Sequence, residues 1–209
     1  MQPGKTYHVY NHGNADDNLF RSDENYHYFL QKYSEYIHPI VNTFAYCLLP
    51  NHFHFLMSIK EEIFFTNVSD DPENHSHLSG FKNLTGVNLE KKIVKQFSNF
   101  FNGYTKAFNN MFERRGKLFL LPFQRKPITN SWQFLNTWKY IHFNPVHHHF
   151  CRDPFDWTHS SVHDYRLKDS RWISLSQAQK KSEANIDVSE IRDFRPDWSD
   201  FLEFKLLKS

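Results

Sequence analysis

Two histidines flank one bulky apolar residue in Pro50-Asn51-His52-Phe53-His54-Phe55-Leu56-Met57. On a β-strand successive side chains alternate faces, so residues two apart point the same way. The imidazoles therefore stand together on one face, while Phe53 and Phe55 turn towards a core. Paired imidazoles begin a divalent-metal site; the plainer reading is two histidines on a half-exposed strand. A second segment tips the balance. In 131–145, Phe134, Trp138 and Ile141 fall at i, i+4 and i+7 and predict the buried stripe of a helix. Tyr140 lies about 200° round the wheel from Trp138. Asn144 follows one turn later on the same face, a surface the core does not claim.

These four side chains have a chemistry in common. An amide oxygen and two imidazoles make three neutral ligands and leave positions for phosphate oxygens and water. A Mg²⁺- or Mn²⁺-type ion held there polarises a phosphodiester while a tyrosine attacks phosphorus in line. A free phenol, with a pKa of about 10, is a poor nucleophile, and a nearby cation helps it lose its proton. The product is a phosphotyrosine, which keeps the phosphodiester energy and can be passed to another DNA end without ATP. Tyr140 is the candidate nucleophile, and His52, His54 and Asn144 are the candidate metal ligands. Tyr104 shares an apolar stripe with Phe97, Phe101 and Phe108 and reads as core.

The elements that must position these groups are legible in outline. A first strand is expected over 6–10 and a loop over 11–18. A helix capped by Ser22 runs to about 38, where Pro39 stops it. Strands follow over 41–49 and 52–59, joined by Pro50-Asn51. Residues 60–85 lose all periodicity and read as a long polar surface loop. A strongly apolar-faced helix is expected over 89–112, with Gly116 supplying a left-handed turn beyond it. The stretch 118–128 is extended. Ser131 caps a third helix that Pro145 must end. His147-His148-His149 reads as a solvated loop, and the tail from about 176 has no assignable pattern. The order βαββα, then a strand and a helix, predicts an α+β fold of the ferredoxin-like, split βαβ kind. Its antiparallel sheet carries helices on one face. The expected division is one domain over 1–165 and a C-terminal extension over 166–209.

Composition bounds the rest. With 209 residues, 39% hydrophobic content and 22 phenylalanines, the chain can bury a substantial core. Cys47 and Cys151 form no disulfide or ligand pattern, no apolar run reaches the length of a membrane span, and no secretory leader is visible. A soluble cytoplasmic protein with no membrane partner is expected. Residues 61–80 hold five acidic side chains and no Lys or Arg, whereas 81–130 hold ten basic and two acidic. Such a basic half suits a polyanion. Arg114, Arg115, Lys117, Arg125 and Lys126 are the candidate DNA-backbone contacts.

Taken together, these residues resemble the single-tyrosine transposases built on a histidine–hydrophobic–histidine (HUH) motif, above all the REP-associated tyrosine transposases. The resemblance is carried by 50–56, by Tyr7-His8-Val9, by 11–21, and by Arg115-Gly116-Lys117-Leu118-Phe119. It continues through Tyr140-Ile141-His142-Phe143-Asn144-Pro145-Val146 and Trp157 with Ser160-Ser161. It implies cleavage of single-stranded DNA at hairpin-associated sites, with a 5′-phosphotyrosine on Tyr140 and a free 3′-hydroxyl. It also implies Mg²⁺ or Mn²⁺ on His52, His54 and Asn144, and single-stranded or hairpin DNA as partner. Insertion-sequence relatives act as dimers and the REP-associated group is often monomeric, so a homodimer stays open. The chain departs from the family in the length of its polar stretch at 61–85 and in its triple histidine. Two other readings remain: a hairpin-binding protein without catalysis, and a metal-dependent phosphodiesterase that uses water.

Overall fold

Four strands build the scaffold: β1 (Thr6–His12), β2 (Val41–Leu49), β3 (His52–Ile59) and β4 (Gln124–Ile128). They are hydrogen-bonded in the order β2-β3-β1-β4, every neighbour antiparallel. Helix α1 (Asp23–Tyr36) connects β1 to β2, and α2 (Gly86–Met111) connects β3 to β4. Each crossover places its two strands parallel with one strand between them, which is the ferredoxin-like arrangement. Helices α3 (Ser131–His147), α4 (Val162–Leu167) and α5 (Leu175–Ser182) follow. The structure, a computed structural model, describes residues 1–15, 17–63, 86–120 and 122–195. The polar loop expected over 60–85 falls mostly outside them, as does the end of the tail. No described helix is long and apolar enough to cross a membrane.

Alternation along β3 divides the molecule into two cores. Phe53 and Phe55 face α1 and α2, where Phe53 meets Phe29 and Phe101 (ring centroids 5.3 and 5.8 Å) and Phe55 stacks on Tyr33 at 4.4 Å. His52 and His54 face the opposite way, towards α3. Helices thus cover both faces of the sheet, where one face was expected. The physical reason is that β1, β2 and β3 are buried at almost every position, so both faces of the sheet need cover; a bulge between Thr43 and Ala45 also shifts the register of β2. Before the bulge Thr43 bonds Tyr33 Oη of α1 at 2.7 Å. Phe44 packs on Phe134 of α3, with centroids 5.3 Å apart.

Helix α3 departs from expectation at both ends. Its N-cap is Asn130, whose side chain accepts from Gln133 N at 2.8 Å, while Gln133 Oε1 accepts from Thr129 N; Ser131 is the first helical residue. Pro145 does not end the helix, which runs to His147. Proline has no N–H to give the ladder, and beyond it His148 N again bonds Asn144 O at 3.0 Å. The chain turns just afterwards, at His149, with φ of 62°. Gly116 is left-handed as expected, although Glu113 already takes that conformation beyond α2.

The segment after Cys151 seals the free edge of β2. Leu48 N donates to His159 O and Ser161 N to Tyr46 O, and Ser174 N donates to Thr43 O. Trp157 Nε1 reaches Leu48 O at 2.9 Å and Tyr165 Oη reaches Phe44 O at 2.6 Å. Ile173, Ala178 and Ile191 are buried in the same body. An edge strand covered in this way cannot template pairing with another chain. Ser161 is the pin: its Oγ lies 2.8 Å from Tyr46 N and 2.8 Å from His142 Nε2, all buried. Ser161→Ala should cost about 1–3 kcal/mol through these stranded groups. A urea midpoint within error of the parent, at equal slope, would refute that role.

Candidate active site

The site is a seam between one sheet face and α3. On β1 the residues facing this seam are His8, Tyr10 and His12, opposite Leu56, His54 and His52 of β3. From α3 above come Tyr140 and Asn144, one helical turn apart. His54 sits at the centre, with its ring centroid 5.4 Å from Tyr140, 5.2 Å from His52 and 5.7 Å from Tyr10. His52 Nε2 lies 3.0 Å from Asn144 Oδ1, and its Nδ1 lies 2.7 Å from Asn51 Oδ1. His12 stacks on His52 at 4.4 Å. The structure thus brings His52, His54, Asn144 and Tyr140 together.

Their environment is drier than a helix surface. Tyr140 is 3% exposed and Asn144 0%, which corrects the expectation that this face of α3 is unclaimed. The second face of the sheet claims it. Burial, partly offset by the neighbouring Asn144 side chain, pushes the Tyr140 phenol above its usual range. Burial, reinforced by the surrounding His8, His52, His12 and His148 rings, holds the His54 pKa well below the ordinary imidazole value. A neutral imidazole is the form that ligates metal.

Whether the donor set suits a divalent ion can be judged from His52. A neutral imidazole has one donor nitrogen, yet both ring nitrogens of His52 face amide oxygens. A positive charge, supplied by a metal ion or a second ring proton, reconciles the two contacts; so does a rotated Asn144 amide. Asn144 Oδ1 is the amide atom turned towards His52. Two ligands at about 2.1 Å on adjacent corners of an octahedron lie roughly 3.0 Å apart, the spacing seen between Nε2 and Oδ1. The residues therefore fit a Mg²⁺- or Mn²⁺-type ion. Among the described residues no cluster of three His, Cys, Asp or Glu side chains is placed to hold a metal; the third donor in the seam is an amide.

The basic candidates separate by position. Lys126 pairs with His8 across β1 and β4, so it shares the seam's face of the sheet. Arg125, its neighbour, points to the other face and lies over the Phe123 ring at 5.6 Å. Arg114 is held by Asp17, by Asn109 Oδ1 at 2.7 Å and by the Lys117 carbonyl. Arg115 and Lys117 are exposed on the turn after α2. Tyr104 is core, donating to Leu19 O at 2.5 Å.

Three residues of the seam escaped the sequence reading: His8, Tyr10 and His12. Period-two spacing in Tyr7-His8-Val9-Tyr10-Asn11-His12 carries the signal that would have found them. His148 is a fourth. It is half-buried, with its ring 4.6 Å from His52, and so differs from the solvated loop expected there.

Comparison with known proteins adds a likeness of fold. A solved structure described as a REP-associated tyrosine transposase bound to a REP hairpin superposes with a TM-score of 0.50 at 18% identity. The match covers 90% of this chain and 88% of that one. No protein-family model and no curated protein matches the chain.

Proposed function

We propose that this protein is a metal-dependent DNA strand-transferase that cleaves and rejoins single-stranded, hairpin-associated DNA through a phosphotyrosine on Tyr140. The observation that carries the reading is the convergence of Tyr140, His52, His54 and Asn144 in one dry seam. The fold around them is similar to that of a protein solved with a REP hairpin. His52, His54 and Asn144 would hold the Mg²⁺ or Mn²⁺, which when bound supplies a Lewis acid for the phosphate and eases ionisation of the phenol.

The chain's own residues do the rest. Tyr140 Oη gives up its proton and forms a bond to phosphorus, and the bond from phosphorus to the 3′ oxygen breaks. That oxygen takes up a proton and leaves as a free 3′-hydroxyl, while the 5′-phosphate stays on Tyr140. Attack by a 3′-hydroxyl reverses the step and rejoins the strand. The phenol ring is buried against His54 and His8, with centroids 5.4 and 6.1 Å away, so the nucleophile would start oriented. Lys126, on the same sheet face, would hold the phosphate backbone.

That placement is testable. Lys126→Ala should weaken hairpin binding about tenfold and lower the salt slope by about one, whereas Arg125→Ala should do neither. Equal losses in fluorescence anisotropy titrations would remove the distinction between the two faces. The overall reading is tested by incubating the protein with labelled hairpin oligonucleotides bearing single-stranded flanks, with Mn²⁺ or with EDTA. A protein–DNA band that survives a denaturing gel only with Mn²⁺ is expected. Cleavage without that band would make water the nucleophile. Salt-sensitive binding without cleavage would leave a binding protein.

A further inference from the structure

His8 Nε2 and His54 Nδ1 are 3.0 Å apart, and the two residues are 1% and 2% exposed. Between two neutral imidazoles at that distance one nitrogen donates and the other accepts. If His54 Nδ1–H donates, His54 Nε2 keeps a lone pair on the far side of the ring from His8. If His8 Nε2–H donates, His54 Nε2 carries the hydrogen and cannot ligate anything. The same choice arises at His52, where Asn51 Oδ1 sits 2.7 Å from Nδ1. An amide oxygen only accepts, so it selects the Nδ1–H form and leaves Nε2 as the donor atom. Both histidines of the pair thus have a polar partner at Nδ1, His8 for His54 and Asn51 for His52.

We infer that His8 is a positioning residue that fixes the ring and the Nδ1–H tautomer of His54, keeping His54 Nε2 available as a ligand. The role rests on the proposed reading of His54 as a metal ligand. Three features of the fold support it. Strand register sets His8 diagonally beside His54 on one sheet face, since His54 is paired with Tyr10, two residues further along β1. The His8 ring is also hemmed by Tyr10 and Tyr140, with centroids 5.0 and 6.1 Å away. Both rings are also shut away from solvent, so bulk water does not compete for the contact between them. Partners of this kind orient ligating histidines, and their loss weakens metal binding by about 10- to 100-fold.

The test begins with metal-free, ¹⁵N-histidine-labelled protein at neutral pH. Long-range ¹H–¹⁵N correlation should show His54 protonated at Nδ1. His54 protonated at Nε2 overturns the assignment, with no variant needed. The second arm measures Mn²⁺ dissociation constants by electron paramagnetic resonance. His8→Leu should move His54 towards the Nε2–H form and raise the constant about 10- to 100-fold, while His8→Gln, whose amide oxygen can accept from Nδ1–H, should recover most of the affinity. A His8→Leu protein with the parental tautomer and affinity overturns the positioning role. Parental protein with the Nδ1–H tautomer but no Mn²⁺ binding supports His8 as the anchor and refutes the metal reading of the site instead.

Discussion

Tyr140→Phe is expected to abolish the covalent DNA adduct, lowering its yield at least about 10³-fold, while hairpin affinity stays within about threefold. The substitution removes one oxygen and leaves the ring that packs on His54 and His8 at 5.4 and 6.1 Å. Stability should change by no more than about 1 kcal/mol, the net worth of one hydrogen bond. Burial raises the phenol's pKa, so the neutral form dominates near neutrality. Adduct formation by the parent protein should therefore climb with pH from about 6 to about 9 as the phenolate fraction grows. Full adduct yield from Tyr140→Phe, on a denaturing gel, would remove the residue from its role.

Phe29→Ala should be the most destabilising simple truncation, at about 3–5 kcal/mol. Phe29 is fully buried where α1, α2 and β3 meet. Its ring lies 5.1 Å from Phe20, 5.3 Å from Phe53, 4.8 Å from Phe100 and 5.0 Å from Tyr104. Because Phe53 stands between His52 and His54 on the strand, the cavity should also loosen the imidazole pair. A loss below about 1 kcal/mol in urea unfolding would mean that these aromatic layers repack around the gap.

The parts of this structure that were legible in the sequence are those with one strong periodicity. The alternation of His52, Phe53, His54 and Phe55 assigned each side chain to its face, because one face carries apolar phenyl rings and the other polar imidazoles. The i, i+4, i+7 stripe of Phe134, Trp138 and Ile141 likewise placed Tyr140 and Asn144 together. Its complement was misread as open surface, since a helix wheel tells which residues share a face and nothing about a second layer covering it. On β1 both faces carry ring side chains, so Tyr7 and Val9 did not stand out from His8, Tyr10 and His12. Asn130 outcompeted Ser131 as cap through a side-chain acceptor one residue earlier. Arg114 looked like a phosphate contact by charge alone, yet its guanidinium is drawn to Asp17, distant in sequence. The edge-sealing segment after Cys151 depends on single hydrogen bonds from Trp157, Ser161 and Tyr165, and such contacts leave no periodic trace.

The most direct measurement is the address of the DNA on the protein. The Mn²⁺-dependent adduct should be digested with nuclease and protease and its peptides analysed by mass spectrometry. The account predicts a nucleotide 5′-phosphate on Tyr140. A nucleotide on Tyr10, which also lines the seam, or on Tyr104, or cleaved DNA with every tyrosine unmodified, would contradict it.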